Sequence, residues 1–314
     1  MIVTAARLLE HGRPIAHEKV DIGEPGPDEV VVDMAYGGVN PVDRYNALGR
    51  VAPDAPLPRT LGSEGSGILE GRPVVVRGFG LGSRRDGLWS TRAIGPARAP
   101  VDVPDGVDLR AAAAMGVAGV TAWRCVQDLA AVDPRDRVLV LGASGGVGSL
   151  IVSMTHRLGA SVFAQTGNAS KEAWIAGRGA DHVVVADADG LLAALQDSRP
   201  TVVFDSLGGG YFGAAIEAME PRGRLVIFGT SADAHGDVPL QQIYRKGLRI
   251  FGHAGLIEDE EVTAKGISRA LAALARGEFE VVIDTVLPLS EANTAFERLA
   301  DRSVNGQLLL DLAG

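Results

Sequence analysis

Residues 137–148, RVLVLGASGGVG, decide how the rest of the chain is read. Val138, Leu139, Val140 and Leu141 form a continuous apolar run, as a strand buried on both faces requires. Gly142 to Gly148 is a glycine-rich turn, and Leu150, Ile151, Met154 and Leu158 then follow at helical spacing over 149–158. Strand, glycine turn and helix together make the setting of a dinucleotide-binding turn. Glycines let the backbone approach a pyrophosphate, and the helix N-terminus offers free N–H groups to the anion. Glycine spacing alone also fits a purely structural turn; the two flanks favour the nucleotide.

With 314 residues the chain is long enough for two domains with cores of their own. A formal charge of −9 and a sequence pI near 5.2 argue against nucleic acid or an anionic membrane as principal partner. The single cysteine, Cys125, excludes an intramolecular disulfide and a cysteine-rich zinc site. The six histidines are scattered, with none in an HExxH spacing. No basic segment precedes an apolar core at the N-terminus, and no apolar run reaches the ~18 residues of a membrane helix. A cytoplasmic protein acting on a small molecule is expected.

Residues 1–115 read as an irregular β domain. Strands are expected at 29–34 and 73–76 and a helix at 41–48, with Gly and Pro breakers dense at 23–27, 53–58 and 95–104. Segments 111–115 and 121–129 are alanine-rich and helical in character. Strands at 138–141, 161–165, 182–185, 201–205, 225–228 and 249–251 then alternate with helices at 149–158, 171–178, 191–196 and 211–219. Such alternation forces parallel pairing through right-handed crossovers, hence a doubly wound α/β sheet. In the tail, Ile267, Ala270, Leu271 and Leu274 mark a helix ending at Gly277. A strand at 281–286, a helix at 290–299 capped by Ser290 and a strand at 307–312 follow. The expected domains are 1–115 with 255–314, and 116–254.

A dinucleotide fold that takes NAD usually ends its second strand in an acid for the ribose hydroxyls. Here SVFAQT ends in Thr166 and continues Gly167, Asn168, Ala169, Ser170, Lys171, without Asp or Glu. A polar loop carrying Lys171 suits a 2′-phosphate, so NADPH is expected. The alternative makes Lys171 an exposed lysine at a helix start.

Several motifs now fall in order along the chain. They are Gly38-Val39-Asn40-Pro41-Val42-Asp43, PRTLGSEGSG at 58–67, Ala118-Gly119-Val120-Thr121-Ala122, ASGGVG at 143–148, Asp205-Ser206-Leu207-Gly208, and Gly223-Arg224-Leu225-Val226 with Phe228-Gly229. Together they resemble the medium-chain dehydrogenase/reductase superfamily, in its zinc-independent quinone oxidoreductase branch, over nearly the full length. The resemblance implies a GroES-like irregular β catalytic domain beside a doubly wound parallel-sheet (Rossmann) domain. Zinc-dependent relatives place a Cys ligand where this chain has Asn40 and a His where it has Ser63; they also carry a four-cysteine lobe absent here. Neither metal is implied, and Glu64 reads as a structural carboxylate.

Residue by residue, the resemblance places Asn40 and Thr121 near the nicotinamide. Ser144, Gly145, Gly146 and Val147 fall on the pyrophosphate turn, and Thr166, Gly167, Asn168 and Lys171 on the 2′-phosphate loop. Ser206 and Leu207 line the edge of the fourth strand, and Phe228, Gly229 and Thr230 that of the fifth. Arg302 matches a late arginine that reaches the adenosine phosphate in some members, whereas a phosphate-side tyrosine of others is Ala186 here. The proton-donating tyrosine of related enoyl reductases is also missing, since Gly49 is followed by Arg50 and Val51. Tyr45 is left as candidate for substrate contact or proton relay, or as a helix-surface tyrosine.

The segment between Gly67 and Gly95 is shorter than in the family, and Arg84, Arg85 and Trp89 in it read as surface and packing residues. The apolar strand Arg249-Ile250-Phe251-Gly252 lies at an expected sheet edge; equivalent strands pair across a two-fold axis in the superfamily, so a homodimer is implied. Reduction of quinones or α,β-unsaturated carbonyl compounds is the activity implied. A catalytically weak NADPH-binding sensor is the alternative, and an alcohol dehydrogenase the third.

Overall fold

The computed structural model describes residues 1–196 and 198–313. The chain divides into two compact units. One holds Met1–Val120, Leu256–Gly277 and the chain from Val281; the other holds Thr121–Gly255 and Glu278–Glu280.

In the first unit, β1 (Ile2–Leu8) pairs antiparallel with β2 (Ala16–Asp21). Strand β3 (Glu29–Val39) runs beyond the expected end at Met34, through Gly37 and Gly38. Those glycines are needed: a Cβ at Gly37 would lie 2.6 Å from the Trp89 ring, and one at Gly38 would overlap the Glu64 carboxylate. After helix Pro41–Ala47 come β4 (Arg59–Thr60), β5 (Glu64–Leu69), β6 (Arg72–Arg77), β7 (Arg92–Pro96) and β8 (Pro100–Asp102). The hairpin β5–β6 turns on Glu70 and Gly71 alone, at φ +50° and +82°. Positive φ at both turn residues matches the twist of the flanking strands. Leu8, Leu61, Val74, Trp89 and Leu310 are fully buried in this unit's core. Trp89 is therefore a packing residue, while Arg85 pairs with Glu29 and Arg84 is exposed.

The second unit carries six parallel strands: β9 (Arg137–Val140), β10 (Ser161–Thr166), β11 (His182–Val185), β12 (Val202–Asp205), β13 (Arg224–Ile227) and β14 (Arg249–Gly252). Their order is β11-β10-β9-β12-β13-β14, the doubly wound α/β arrangement, with the reversal of winding at β9. Leu139, Leu141, Val203, Ile216 and Leu225 fill the core on one face. The helix after β9 spans Gly146–Arg157, three residues earlier than the apolar spacing places it, so two glycines lie in its first turn. The helix expected at 171–178 is a 3-10 turn, Ala169–Lys171, followed by the short Glu172–Ala176. Residues 111–129 are broken into α-helical Leu109–Ala113 and Val120–Trp123 and π-helical Met115–Gly119 and Arg124–Leu129. The short helix Leu240–Lys246, which the sequence reading does not include, buries none of its residues and leaves Leu240 and Tyr244 exposed.

The tail returns to the first unit. Helix Glu260–Ala275 is capped by Asp259, whose Oδ1 accepts from the N–H of Glu261 (2.9 Å) and Val262 (3.1 Å). Strands β15 (Ile283–Pro288) and β16 (Gln307–Asp311) are parallel, and β16 lies antiparallel to β3. Ser290 does not cap the following helix. It sits inside the 3-10 turn Leu289–Glu291 that closes β15 onto helix Ala292–Ala300. Glu278–Glu280 go with the second unit, where the N–H of Glu280 donates to Ser153 Oγ at 2.9 Å. Among the described residues no helix is long and apolar enough to cross a membrane.

A Cβ at Gly148 would overlap the carbonyl of Gly142. Gly148→Val is expected to destabilise the protein by about 1–3 kcal/mol, read as a lower Tm in a thermal scan; an unchanged Tm would show that the turn tolerates a side chain.

Candidate active site

In a parallel sheet, loops that leave the C-terminal strand ends gather where the winding reverses. In the second unit these loops hold one another. Gly142, at φ +72°, turns the chain after β9, and its N–H donates to Gln165 Oε1 (3.0 Å). Gln165 Nε2 donates in turn to the carbonyl of Ala186 (2.6 Å), so one buried side chain at the end of β10 ties together the loops after β9 and β11. Ser206 Oγ donates to the carbonyl of Leu141 (3.0 Å). The N–H of Phe228 donates to Asp205 O and that of Ser231 to Ser206 O, both at 3.0 Å. Ser206, Leu207, Phe228, Gly229 and Thr230 are thereby brought together.

Helix Gly146–Arg157 has Gly145 at its N-cap and no side chain capping it, which leaves its first N–H groups for an anion. Beside it, Lys171 is buried rather than exposed, with Nζ donating to Ser144 Oγ at 3.3 Å. Asn168 Oδ1 accepts from Ser170 N–H (2.9 Å) and shapes the turn that delivers this lysine. A Cβ at Gly167 would meet nothing within 4 Å. A glycine cradle, an uncapped helix start, a cation and an open loop fit the phosphates of a nicotinamide dinucleotide. Asp205 is buried and its carboxyl is pushed up by burial, against N–H bonds from Gly208 and Leu207.

In the first unit the residues around Asn40 form a second constellation. Asn40 is 4% exposed, and its Nδ2 donates to Glu64 Oε1 at 2.5 Å. Glu64 Oε2 accepts from the N–H of Val117 (2.6 Å) at the π-helical turn. Asp43 Oδ2 accepts from Asn40 N–H (2.9 Å), and Asp43 Oδ1 from Ser63 N–H (2.9 Å) and Ser63 Oγ (2.7 Å). Burial drives both carboxyls up, Asp43 to about 6 and Glu64 to about 7, against the hydrogen bonds that favour their charged forms. Arg77 is held below its ordinary value by burial and supported by Glu64, Glu260 and Glu258. Among the described residues no group of three or more His, Cys, Asp or Glu is placed to hold a metal.

Tyr45 lies half-buried on helix Pro41–Ala47. Thr121 is buried at the start of the second unit, and Arg302 is exposed in the turn after helix Ala292–Ala300 in the first. Sequence reasoning missed Gln165 and Asp43. A lone glutamine inside the apolar run SVFAQT is the signal that could have found the first.

The family model described as "Zinc-binding dehydrogenase" matches residues 146–266. The chain is 28% identical over 306 residues to a mycocerosic acid synthase-like polyketide synthase of Mycobacterium tuberculosis, covering 92% of the chain but only 14% of that much longer protein. It is 27% identical over 301 residues to the putative quinone oxidoreductase YhfP of Bacillus subtilis, covering 91% of each. The structure of YhfP with NAD bound superposes with a TM-score of 0.86 at 22% identity, over 99% of this chain and 100% of that one. Mycobacterial Rv1454c complexed with NADPH does so at 0.87 and 24%, over 98% and 99%. Over nearly its full length the chain is thus similar, at 28% identity or below, to quinone oxidoreductases and alcohol dehydrogenases. Its two units have the irregular antiparallel sheet and the parallel Rossmann-like sheet of the structures it matches.

A carboxyl whose folded pKa is raised lends stability below its unfolded value and loses it as pH rises through the folded one. For Glu64 that window runs from 4.5 to about 7. Glu64→Gln removes the penalty, so its Tm relative to wild type is expected to climb between pH 5 and pH 8. A Tm difference independent of pH would contradict the assignment.

Proposed function

We propose that the protein is a cytoplasmic, NADPH-dependent oxidoreductase that works without zinc and reduces quinones or α,β-unsaturated carbonyl compounds. The observation that carries this reading is the Lys171 Nζ–Ser144 Oγ contact beside the glycine turn, in a β10 loop without an acid. When bound, the dihydronicotinamide supplies the hydride. The turn Ser144–Val147 holds the pyrophosphate, with Thr166, Gly167, Asn168 and Lys171 toward the 2′-phosphate and Arg302 as a further phosphate contact. Ser206, Leu207, Phe228, Gly229 and Thr230 line the strand ends, and Asn40 and Thr121 address the nicotinamide end.

At the positions where zinc-dependent relatives have Cys and His, the side chains of Asn40 and Ser63 are committed to Glu64 and Asp43. An amide and a hydroxyl engaged in this way suit a site that orients a conjugated acceptor more than one that polarises an alcohol oxygen through a metal. The reduced product needs one proton, and Tyr45 or solvent supplies it.

The deciding experiment is a cofactor-oxidation screen over quinones, enones and enoyl thioesters with NADPH and NADH. Turnover is expected to survive exhaustive chelation, and Lys171→Ala is expected to raise KM for NADPH far more than for NADH. Equal effects on the two cofactors would remove the 2′-phosphate assignment, and loss of turnover on chelation the zinc-independent one. Tight NADPH binding without turnover on any acceptor would select a sensor instead.

The protein is also proposed to be a homodimer through the free edge of β14. Ile250 is partly exposed on that strand, and Val238, Leu240 and Tyr244 expose apolar surface in the segment before it. An uncovered edge with apolar neighbours is a surface that a second copy can pair with. Light scattering at micromolar concentration should report a dimer, and a monomer would refute this interface.

A further inference from the structure

Glu64 has no exposed surface, and two neighbouring elements leave out a side chain to make room for it. A Cβ at Gly38 would overlap its carboxylate, and one at Gly116 would lie 2.9 Å from its Cβ. Burying a carboxylate is costly, and an apolar residue could fill the same space without that penalty. What distinguishes Glu64 is the identity of its two partners: the Asn40 amide on Oε1 and the Val117 main-chain N–H on Oε2.

Those partners are not equivalent. A main-chain N–H only donates, so Oε2 must always accept. The Asn40 amide carries a donor end and an acceptor end, and a half-turn of the amide exchanges them. A charged Glu64 demands a donor on both oxygens and holds the NH2 of Asn40 toward itself, which leaves Oδ1 as the end on offer. A Glu64 protonated on Oε1 becomes a donor there and requires the carbonyl of Asn40, which puts the NH2 on offer instead.

We propose that Glu64 is a positioning residue for the reaction: it selects which end of the Asn40 amide faces the nicotinamide and the acceptor. It also locks Asn40 to the Val117 turn, four residues before Thr121. The proposal rests on the assignment of Asn40 to the nicotinamide end made under Proposed function. Asn40 cannot relax its main chain in response, because its own N–H is fixed on Asp43 Oδ2 at 2.9 Å.

Two charged groups face Glu64. Asp43, from helix Pro41–Ala47, favours its protonated form; Arg77, from β6, favours its carboxylate. Glu258 and Glu260 stand beyond Arg77 and hold its positive charge in place. With burial added, the Glu64 carboxyl lies at about 7, so both orientations of Asn40 are within reach near neutral pH.

Glu64→Gln tests this. Val117 still claims the one acceptor of the glutamine, so its NH2 faces Asn40 and holds the amide in the reversed orientation at every pH. In an NADPH-oxidation assay, kcat is expected to fall on the order of tenfold, the equivalent of one misdirected hydrogen bond. KM for NADPH should hardly move, and the wild-type inflection of kcat near neutral pH should disappear. A purely structural role would lower Tm without touching the pH profile.

A second readout does not depend on turnover. Selective 15N labelling gives five asparagine side-chain amides, and that of Asn40 is assigned by its loss in Asn40→Asp. Its signal should titrate near neutral pH in wild type and stay flat in Glu64→Gln. If wild type turns over no acceptor, the assigned function fails, and this titration alone decides whether Glu64 orients Asn40. If Glu64→Gln does not fold, the wild-type titration decides it. A folded Glu64→Gln with wild-type kcat and pH profile, or a wild-type Asn40 signal indifferent to pH, overturns the proposal.

Discussion

A helix can begin within one turn of a buried parallel strand only where no side chain stands between its first turn and the first carbonyl of the turn before it. Gly142 supplies the left-handed bend after β9, and Gly148 lets the helix cross the Gly142 carbonyl without a Cβ in the way. The uncapped helix start, the placement of Ser144 beside Lys171 and the Gln165 bridge all follow from that close approach. With a side chain at 148 the helix would stand off the strand, and the loops after β9, β10 and β11 would no longer meet.

The first unit depends on a different constraint, the satisfaction of two buried carboxylates. Asp43 and Glu64 together take up donors from Asn40, Ser63 and Val117, drawn from helix Pro41–Ala47, the approach to β5 and the π-helical turn. A break between helices Leu109–Ala113 and Val120–Trp123 is what leaves the Val117 N–H available to a side chain. These contacts make a polar knot in which every donor has an assigned acceptor. That is the condition under which a buried polar network rigidifies a site rather than weakening it.

The architecture was largely legible because periodicity is local. The six strands of the second unit were visible as short apolar runs, and their ends shifted by only a residue or so. Errors gathered where tertiary contacts override local preference. Strand β3 continues through two glycines because Trp89 and Glu64 pack against them, although glycine normally weakens a strand. Ser290 resembles a cap, yet β15 runs on to Pro288, so Ser290 falls inside the 3-10 turn that follows and Glu291 takes the N-cap position.

By itself, the sequence determined the alternation that forces a doubly wound sheet, the glycine turn, the missing acid after β10, and an amide and a hydroxyl at positions 40 and 63. Only the tertiary structure decided what those polar groups do. Glu64 takes its partners from residues 24 and 53 positions away, and Gln165 from residues 23 and 21 positions away. The physical reason is that a side chain's preference for helix or strand is set by its neighbours in sequence. The partner of a buried donor or acceptor is set by strand register and loop closure, which bring together residues with no local relation.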